Sequence, residues 1–202
     1  MGLQGDIVKN ANLTWHQNKV TKKMRSKIKK QKPCIVWLTG LSGSGKSTIA
    51  NELEYQLNCL NKHTYLLDGD NIRLGINSDL GFSDKDRSEN IRRISEIAKL
   101  FVDSGLIVIT AFISPFQKDR NFARSLVEQN EFIEVYLDTP LSVCQQRDPK
   151  KLYQKAKLNQ IENFTGISSI YETPNNAEIV LNTENTSVKE CVKIILDYIN
   201  AE

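Results

Sequence analysis

The sequence has no apolar run that approaches the roughly 20 residues needed to span a lipid bilayer. Its first residues, Met1–Asp6, lack the basic and apolar stretches of a secretory signal peptide. Asp6 also stands where an N-myristoylation motif needs Ser or Thr. These absences argue against a membrane-bound or secreted protein, and we expect a cytoplasmic protein with no membrane partner.

Cysteine and histidine are scarce, with four and two residues respectively. No C-x-x-C pair occurs, and no histidine lies near a cysteine at the spacing of metal ligands. Because disulfides are rare in reducing compartments, we expect four free thiols. Cys34 and Cys144 lie in apolar contexts and are predicted to be small core residues.

Acidic residues are missing from one segment, Lys19–Lys32, which holds eight of the 27 lysines and arginines. The net charge of the chain is +3, but the positive charge is concentrated in this basic leader. The rest of the chain holds 19 basic against 24 acidic residues and is net negative. A basic cluster can bind nucleic acid. This one contains no aromatic residue, and Met24 and Ile28 at i and i+4 indicate a short amphipathic turn. We favour a solvated leader over a nucleic-acid partner.

Apolar runs alternate with helical patterns along the rest of the chain, which is typical of an α/β domain with a parallel sheet. Cys34–Thr39 is a continuous apolar run of the kind found in a strand buried on both faces. We predict a leader over 1–32 and one domain over 33–202, with a five-stranded parallel sheet flanked by helices. The predicted strands are Cys34–Thr39, Thr64–Leu67, Leu106–Phe112, Phe132–Leu137 and Ile179–Leu181.

Helical periods lie between these strands. Ser83 followed by Asp86 resembles a capping box with Asp in the Glu position, and it opens one of the helices. Between 148 and 176 polar and basic residues dominate without a strong apolar period, which predicts an active-site lid or binding loop. The first predicted helix, Lys46–Leu60, carries Ile49, Leu53, Leu57 and Leu60 on one face. The predicted helices are Lys46–Leu60, Ser83–Asp103, a segment ending near Gln129, a segment starting at Pro140, and Ser187–Ile199.

A phosphate-binding loop follows the first predicted strand. Its eight residues match G-x-x-x-x-G-K-[ST] and lie between a strand and a helix, the context that this motif requires. The glycines let backbone N–H groups point at phosphate oxygens, and the helix N-terminus adds positive potential. Lys46 is expected to reach the β- and γ-phosphates and Ser47 to ligate Mg²⁺. This pattern predicts the P-loop NTPase fold. The predicted ATP-binding residues here are Gly40, Leu41, Ser42, Gly43, Ser44, Gly45, Lys46, Ser47 and Thr48.

The loop alone does not define the reaction, because GTPases, ATPases and small-molecule kinases share it. No N-K-x-D motif for guanine occurs, which argues against a GTPase. The third predicted strand has no terminal Asp of the Walker B kind. Acids occur instead at the end of the second strand, as Asp68 and Asp70. That placement favours a kinase whose acceptor approaches from the side of the second strand.

Several further segments carry a more specific pattern. Asp68–Gly75, Asp79–Ser83 and Arg87–Arg93 form a nearly continuous block, and Phe112–Phe116, Gln146–Lys150, Asn163–Ile167 and the leader residues Trp15, His16 and Lys19–Thr21 extend it. Together these motifs resemble those of adenylylsulfate kinases over nearly the whole chain. The resemblance implies transfer of the ATP γ-phosphate to the 3′-hydroxyl of adenosine 5′-phosphosulfate (APS). The products would be 3′-phosphoadenosine 5′-phosphosulfate (PAPS) and ADP, with Mg²⁺ as cofactor and a homodimer as the assembly.

The resemblance also implies roles for individual residues. Asp70 would lie near the acceptor hydroxyl and in the Mg²⁺ shell, where it orients the hydroxyl or accepts its proton. Ser114 is the position that the family associates with a phosphoserine, but no activating base is evident beside it, so we expect direct in-line transfer. Lys46 and Arg147 would neutralise charge on the γ-phosphoryl group as ATP-binding residues, with Ser47 and Asp70 as metal ligands. The acceptor-binding residues are expected to be Asp68, Arg73, Phe82, Arg87, Asn90, Ile113, Lys150 and Phe164.

Physical chemistry supports part of this assignment and leaves alternatives open. A sulfated adenylate is an anion, which the planar fork of arginine suits. Phe82 and Phe164 either stack on adenine or serve as core residues, and Asp68 is either functional or a turn residue. The alternative function is another small-molecule P-loop kinase of the nucleoside, shikimate or gluconate type. A non-catalytic ATP-dependent module whose leader binds nucleic acid is the alternative outside that class.

Three positions depart from the family pattern. Lys151 stands where a glycine usually follows Asp-Pro-Lys, and Gln117 stands where an arginine is common. Ser168–Tyr171 replaces a stretch that more often contains Asp and Pro. These departures bear on the dynamics and affinity of the lid rather than on the reaction.

Overall fold

The computed structural model describes residues 16–201. Trp15 and the rest of 1–15, which include part of the predicted leader, lie outside the described residues, as does Glu202. Within the described range, no helix is long and apolar enough to cross a membrane. All four cysteines are free, and three of them, including Cys34 and Cys144, are buried as expected.

Five parallel strands form one sheet in the order β2-β3-β1-β4-β5, which confirms the predicted fold. The central strand β1 is buried at every position because helices cover the sheet on both faces. Three strands have the predicted bounds, the second is one residue longer at its end than predicted, and the third is one residue shorter at each end. The strands are β1 (Cys34–Thr39), β2 (Thr64–Asp68), β3 (Ile107–Ala111), β4 (Phe132–Leu137) and β5 (Ile179–Leu181).

Eight helices occur among the described residues, five of which were predicted. Helix α1 (Lys22–Lys29) forms where a short amphipathic turn was predicted, and the short helices α3 (Gly69–Arg73) and α7 (Leu152–Lys157) have no counterpart in the sequence prediction. Both are too short to show a helical period. The helix that follows strand β3, α5 (Gln117–Ser125), ends at Ser125 and not near Gln129 as predicted. The helices are α1 (Lys22–Lys29), α2 (Lys46–Cys59), α3 (Gly69–Arg73), α4 (Asp84–Asp103), α5 (Gln117–Ser125), α6 (Leu141–Arg147), α7 (Leu152–Lys157) and α8 (Val188–Ala201).

Two hydrophobic cores hold these layers together. Helices α2 and α8 cover one face of the sheet, and α4 and α5 cover the other. Trp37 of β1 is fully buried in the second core, stacked between Phe112 and Phe132. Leu60 was predicted on the buried face of α2 but is 54% exposed, because the helix ends at Cys59 and Leu60 only caps it.

The start of α4 confirms the predicted cap in part. Ser83 Oγ accepts a hydrogen bond from the N–H of Asp86 at 3.2 Å, as an N-cap should. The Asp86 carboxylate accepts from Ser83 Oγ at 2.7 Å. A complete capping box would direct that carboxylate to the backbone N–H of residue 83, which the shorter Asp side chain does not do here.

The leader helix α1 is docked on the end of the sheet where the strands begin. Lys22 pairs with Glu128 and Glu131, both at 2.6 Å, and Arg25 pairs with Asp103 at 2.5 Å. Met24 and Ile28, the apolar pair that indicated an amphipathic turn, are exposed. Helix α1 is therefore held by the ion pairs of Lys22 and Arg25, while its apolar pair faces solvent.

Candidate active site

The P-loop connects β1 to α2 at the carboxyl edge of the sheet. Gly43 has φ +77, and a Cβ there would lie 2.9 Å from the carbonyl oxygen of Cys144, on α6. Gly45 has φ +100 and caps α2, a conformation that favours glycine. The loop is thus pressed between neighbouring segments, and this fixes its curl before any phosphate binds.

Lys46 lies inside this curl. Its amine donates to the carbonyl oxygens of Gly40 and Leu41, at 2.9 and 2.7 Å. Burial lowers its pKa to about 8, with the Lys150 charge adding to this effect and Asp68 opposing it. A lysine with this pKa is largely protonated at neutral pH, and it is placed to exchange its carbonyl partners for phosphate oxygens.

Ser47, Asp68 and Asp70 meet at the junction of α2, β2 and α3. Ser47 Oγ donates to Asp68 Oδ2 at 2.7 Å, and Asp68 Oδ1 accepts from the N–H of Asp70 at 3.0 Å. Asp68 thereby caps α3 and also faces the P-loop hydroxyl. The carboxylate of Asp70 instead forms an ion pair with Lys150 of the predicted lid. The sequence assigned Asp68 to acceptor binding, whereas its present contact is with the expected metal ligand Ser47.

Arg147, at the end of α6, reaches the P-loop through Thr183. Its guanidinium donates to Thr183 Oγ1 at 2.9 Å and to the Thr183 carbonyl at 2.7 Å. Thr183 Oγ1 in turn donates to the carbonyl of Ser44 at 2.9 Å. Sequence reasoning missed Thr183. The signal that would have found it is its place two residues after a strand whose carboxyl end shares the P-loop edge.

The predicted acceptor side contains a cluster around Phe82, which is 58% exposed. The Arg73 guanidinium lies 4.4 Å from the centre of the Phe82 ring, and that of Arg87 lies 5.8 Å from it. Arg87 also donates to the carbonyls of Phe82, at 3.1 Å, and Asn163, at 2.7 Å. Burial lowers the pKa of both guanidinium groups, which stay charged. The structure thus brings together three of the predicted acceptor residues, with the lid segment next to them.

Asn90 is buried one turn after Arg87. Its Oδ1 accepts a hydrogen bond of 2.9 Å from Nδ2 of Asn77, a fully buried residue that sequence reasoning missed. Because this bond occupies the amide oxygen, the amide NH₂ of Asn90 is directed away from Asn77. A ligand on the exposed side of Asn90 would therefore meet a hydrogen-bond donor.

Phe164 differs from Phe82 in its surroundings. It is 5% exposed and packs edge-on against Tyr153, with 4.9 Å between the ring centres. Both rings belong to a small core in which the predicted lid packs against α6 and against Leu41 of the P-loop. This placement matches the alternative reading of Phe164 as a core residue. A contact between Phe164 and an adenine ring stays a prediction.

Ser114 lies in the loop after β3 and is 2% exposed, with φ +40. Its Oγ accepts from Trp37 Nε1 at 3.1 Å and donates to Thr39 Oγ1 at 2.9 Å. Thr39 Oγ1 donates to the carbonyl of Ile113 at 2.8 Å. Among the described residues no carboxylate, imidazole or amine is hydrogen-bonded to Ser114 Oγ, so no base is in place to activate it.

Comparisons with known proteins identify the family. The sequence profile of the family described as adenylylsulphate kinase matches residues 32–182. A protein named adenylyl-sulfate kinase from Marinobacter nauticus is 57% identical over 189 residues, covering 94% of this chain and 95% of its own length. The structure of the Mycobacterium tuberculosis APS kinase in complex with AMPPNP and APS has a TM-score of 0.80 and 43% identity, covering 84% of this chain and 99% of that one. A hexameric APS kinase from Thiobacillus denitrificans has a TM-score of 0.64 and 28% identity, covering 86% of this chain and 30% of that one.

Proposed function

The chain belongs to the adenylylsulphate kinase family, and on that premise we propose how its own residues perform the family reaction. The enzyme is an ATP-dependent phosphotransferase with an alcohol acceptor. It moves the γ-phosphoryl group of ATP to the 3′-hydroxyl of APS and releases PAPS and ADP. Such a transfer is catalysed mainly by positioning and by neutralisation of charge.

The observation that best supports the proposal is the arrangement of α3 between two anion-binding groups. Asp68, which caps α3, contacts Ser47 of the P-loop at 2.7 Å. Arg73, at the other end of α3, lies over the Phe82 ring on the acceptor side. One short helix therefore joins the donor side to the acceptor side, with Asp70 on its first turn.

On the donor side, backbone N–H groups of Gly40–Ser47 and the Lys46 amine bind the triphosphate. Arg147, held by Thr183, adds a second positive charge at the same loop. On the acceptor side, Arg73 and Arg87 bind the phosphosulfate, Phe82 stacks on the adenine, and Asn90 donates to the nucleotide. Asp70 orients the 3′-hydroxyl and accepts its proton as the phosphorus–oxygen bond forms.

The chain fits Mg²⁺ through a hydroxyl and carboxylates, the hard oxygen ligands that this ion prefers. The residues that would hold it are Ser47 and Asp70, with Asp68 hydrogen-bonded to Ser47. When bound with ATP, Mg²⁺ neutralises charge on the β- and γ-phosphates. Among residues 16–201 no group of three or more His, Cys, Asp or Glu is clustered as a metal site, so a protein-only cage is not part of the proposal.

Transfer is direct and in line, and Ser114 is a structural residue of the loop that follows β3. Its hydrogen bonds to Trp37 and Thr39 support this assignment. A phosphoserine there would have to displace both partners from a buried position. The segment 148–176 acts as a lid that excludes water, so that transfer goes to the hydroxyl and not to hydrolysis.

We further propose a cytoplasmic homodimer with no nucleic-acid or membrane partner. Two of the leader's cations are already paired with acids of the same chain, through Lys22 and Arg25, which reduces its attraction for a polyanion. Sedimentation equilibrium tests the assembly. A hexamer or a monomer would contradict this part of the proposal.

An ADP-release assay with a panel of acceptors tests the function. We expect release that depends on APS and is negligible with shikimate, gluconate or nucleosides. Release that depends on one of these alcohols, with none from APS, would identify a different small-molecule kinase on the same scaffold. Salt-sensitive binding to DNA or RNA without any acceptor-dependent release would favour a non-catalytic module.

A further inference from the structure

The carboxyl-terminal end of the lid is anchored through Tyr171 and Glu172. The Tyr171 hydroxyl shares a hydrogen bond of 2.9 Å with Thr39 Oγ1, at the end of the strand that enters the P-loop. The Glu172 N–H donates to the carbonyl of Pro115 at 2.8 Å, and its carboxylate accepts from the N–H of Gln117 at 2.6 Å. This anchor therefore contacts the P-loop strand and also the loop over 113–116, which we call the acceptor loop.

Arg120 of α5 joins the anchor to the acceptor loop. Its side chain is fully buried. One terminal nitrogen, Nη1, donates to the Ser114 carbonyl at 2.7 Å, and the other, Nη2, donates to the Glu172 carbonyl at 2.7 Å. A planar guanidinium holds two such carbonyls in a fixed relation, which a single ammonium on a flexible stem does not reproduce.

Glu134 of β4 compensates the buried charge of Arg120. Its Oε1 lies 2.8 Å from Arg120 Nε, and the Glu134 side chain is 4% exposed. Arg124, one turn further along α5, contacts the same carboxylate at 3.4 Å and pairs with Glu178 at 2.6 Å. Within residues 16–201, Arg124 has no hydrogen bond or ion pair to the acceptor loop or to the anchor. It therefore offers a matched control for Arg120.

We propose that Arg120 is a positioning residue, which sets the place of the acceptor by locking the acceptor loop to the fixed end of the lid. The Ser114 backbone, held at φ +40, is the part of the loop that this lock constrains. The inference rests on the proposed function, since it concerns where APS is held. Among the described residues, Arg120 has no hydrogen bond or ion pair to Gly40–Ser47, so its loss should weaken the use of APS and leave the use of ATP unaffected.

The first test compares R120K with R124K in steady-state kinetics with APS and ATP. Both variants keep a cation beside Glu134, but only R120K loses the fork between Ser114 and Glu172. We expect kcat/KM for APS to fall roughly 10- to 100-fold in R120K, as for a misplaced reactant, with KM for ATP unchanged. R124K should match the wild type for both substrates. Thermal unfolding of both variants shows whether R120K is folded.

The second test uses Y171F, which removes one hydroxyl of the anchor and keeps the ring in place. We expect a fall of roughly two- to tenfold in kcat/KM for APS, the effect of one hydrogen bond. Because both residues act on the same anchor, the R120K and Y171F effects should be less than additive in the double variant. Wild-type kinetics in Y171F, or R120K values equal to those of R124K, would overturn the inference. Equal losses for ATP and APS would overturn it too. A wild-type enzyme without APS-dependent ADP release would instead refute the proposed function.

Discussion

Lys46 is the residue whose proposed role in binding ATP depends most directly on its place in the fold. The P-loop buries its amine, and this burial lowers its pKa to about 8, although the carbonyl oxygens of Gly40 and Leu41 accept hydrogen bonds from it. A buried lysine of this kind is protonated below pH 8 and neutral above it. Its attraction for the triphosphate therefore depends on pH within an accessible range.

We predict that the affinity for ATP weakens as the pH rises through about 8. The cause is the loss of the Lys46 proton in the free enzyme, since the charges of ATP no longer change there. Calorimetric titration of ATP at pH 7, 8 and 9 measures this. The K46A variant is the control, because it should bind ATP more weakly and with little dependence on pH. Wild-type affinity that stays constant from pH 7 to pH 9 would contradict the assigned pKa.

Asp68 and Asp70 lie close in sequence but have different partners, and we predict different defects. D68N should raise the Mg²⁺ concentration needed for half-maximal rate, because Asp68 is bonded to Ser47. D70N should raise that concentration as well, because Asp70 is an expected metal ligand, and at saturating Mg²⁺ it should also lower kcat by roughly 10²–10⁴-fold, the range for removal of a general base. Magnesium titrations of both variants at saturating ATP and APS separate the loss that Mg²⁺ restores from the loss that it does not restore. A D68N variant with the Mg²⁺ requirement of the wild type would show that Asp68 does not assist Ser47 and Asp70 in holding the metal.

At the scale of elements, the lid begins with a strained turn. Lys151 precedes α7 in the left-handed region, with φ 55 and ψ 28. This conformation explains why the family pattern favours glycine at the position. In this conformation the side chain of an L-residue destabilises the folded state by about 1–2 kcal/mol. Glycine avoids that strain, but the greater conformational entropy of its unfolded chain lowers the stability by about 0.4–1 kcal/mol.

K151G should therefore make local opening of the lid less favourable by about 0.5–1 kcal/mol, the difference of these two costs. Amide hydrogen exchange across 152–157 reads this out as slower exchange. K155G, inside α7, is the matched control and should exchange faster, because glycine in a helix costs about 1 kcal/mol. Faster exchange in both variants would show that the backbone at Lys151 carries no strain.

The docking of α1 gives a second prediction for an element. Gly105 has φ +88, and a Cβ there would lie 3.2 Å from backbone atoms of Arg25 and Ser26. G105A should lower the free energy of unfolding by about 1–2 kcal/mol through the left-handed backbone alone, with the displacement of α1 adding to it. G75A is the control, since its Cβ would meet only the carbonyl of Asn71 at 3.9 Å. Denaturant unfolding with equal midpoints for both variants would contradict a tightly docked leader.

Elements with a strong local pattern could be predicted from the sequence, and contacts between distant segments could not. Cys34–Thr39 and Phe132–Leu137 were predicted to the residue because buried parallel strands need continuous apolar runs. The P-loop could be predicted from its motif and from its place between a strand and a helix. Helices α3 and α7 have five and six residues, too few for a period to show. Arg120 was missed because its partners, Ser114 and Glu172, lie on other segments of the chain. A periodic pattern within one segment does not show which distant residues it contacts in the fold.

On the scale of the whole molecule, the residues proposed to bind substrates lie at one end of the sheet, and the ion pairs that hold α1 lie at the other end. The carboxyl edge carries the P-loop, α3 and the loop after β3, where ligands bind in open parallel sheets. The other end carries α1 and its ion pairs to Asp103, Glu128 and Glu131. Donor and acceptor must therefore meet at the carboxyl edge, with the γ-phosphoryl group passing directly between them.

The most direct test follows the phosphorus atom itself. ATP labelled with ³²P in the γ position is incubated with the enzyme, Mg²⁺ and APS, and the products are separated and digested with a 3′-nucleotidase. We predict that the label appears in PAPS, that the digestion releases it as inorganic phosphate, and that none is found on the protein when APS is absent. Label that stays off the 3′-position of the adenylate, or that accumulates on Ser114 before transfer, would contradict direct transfer from ATP to APS.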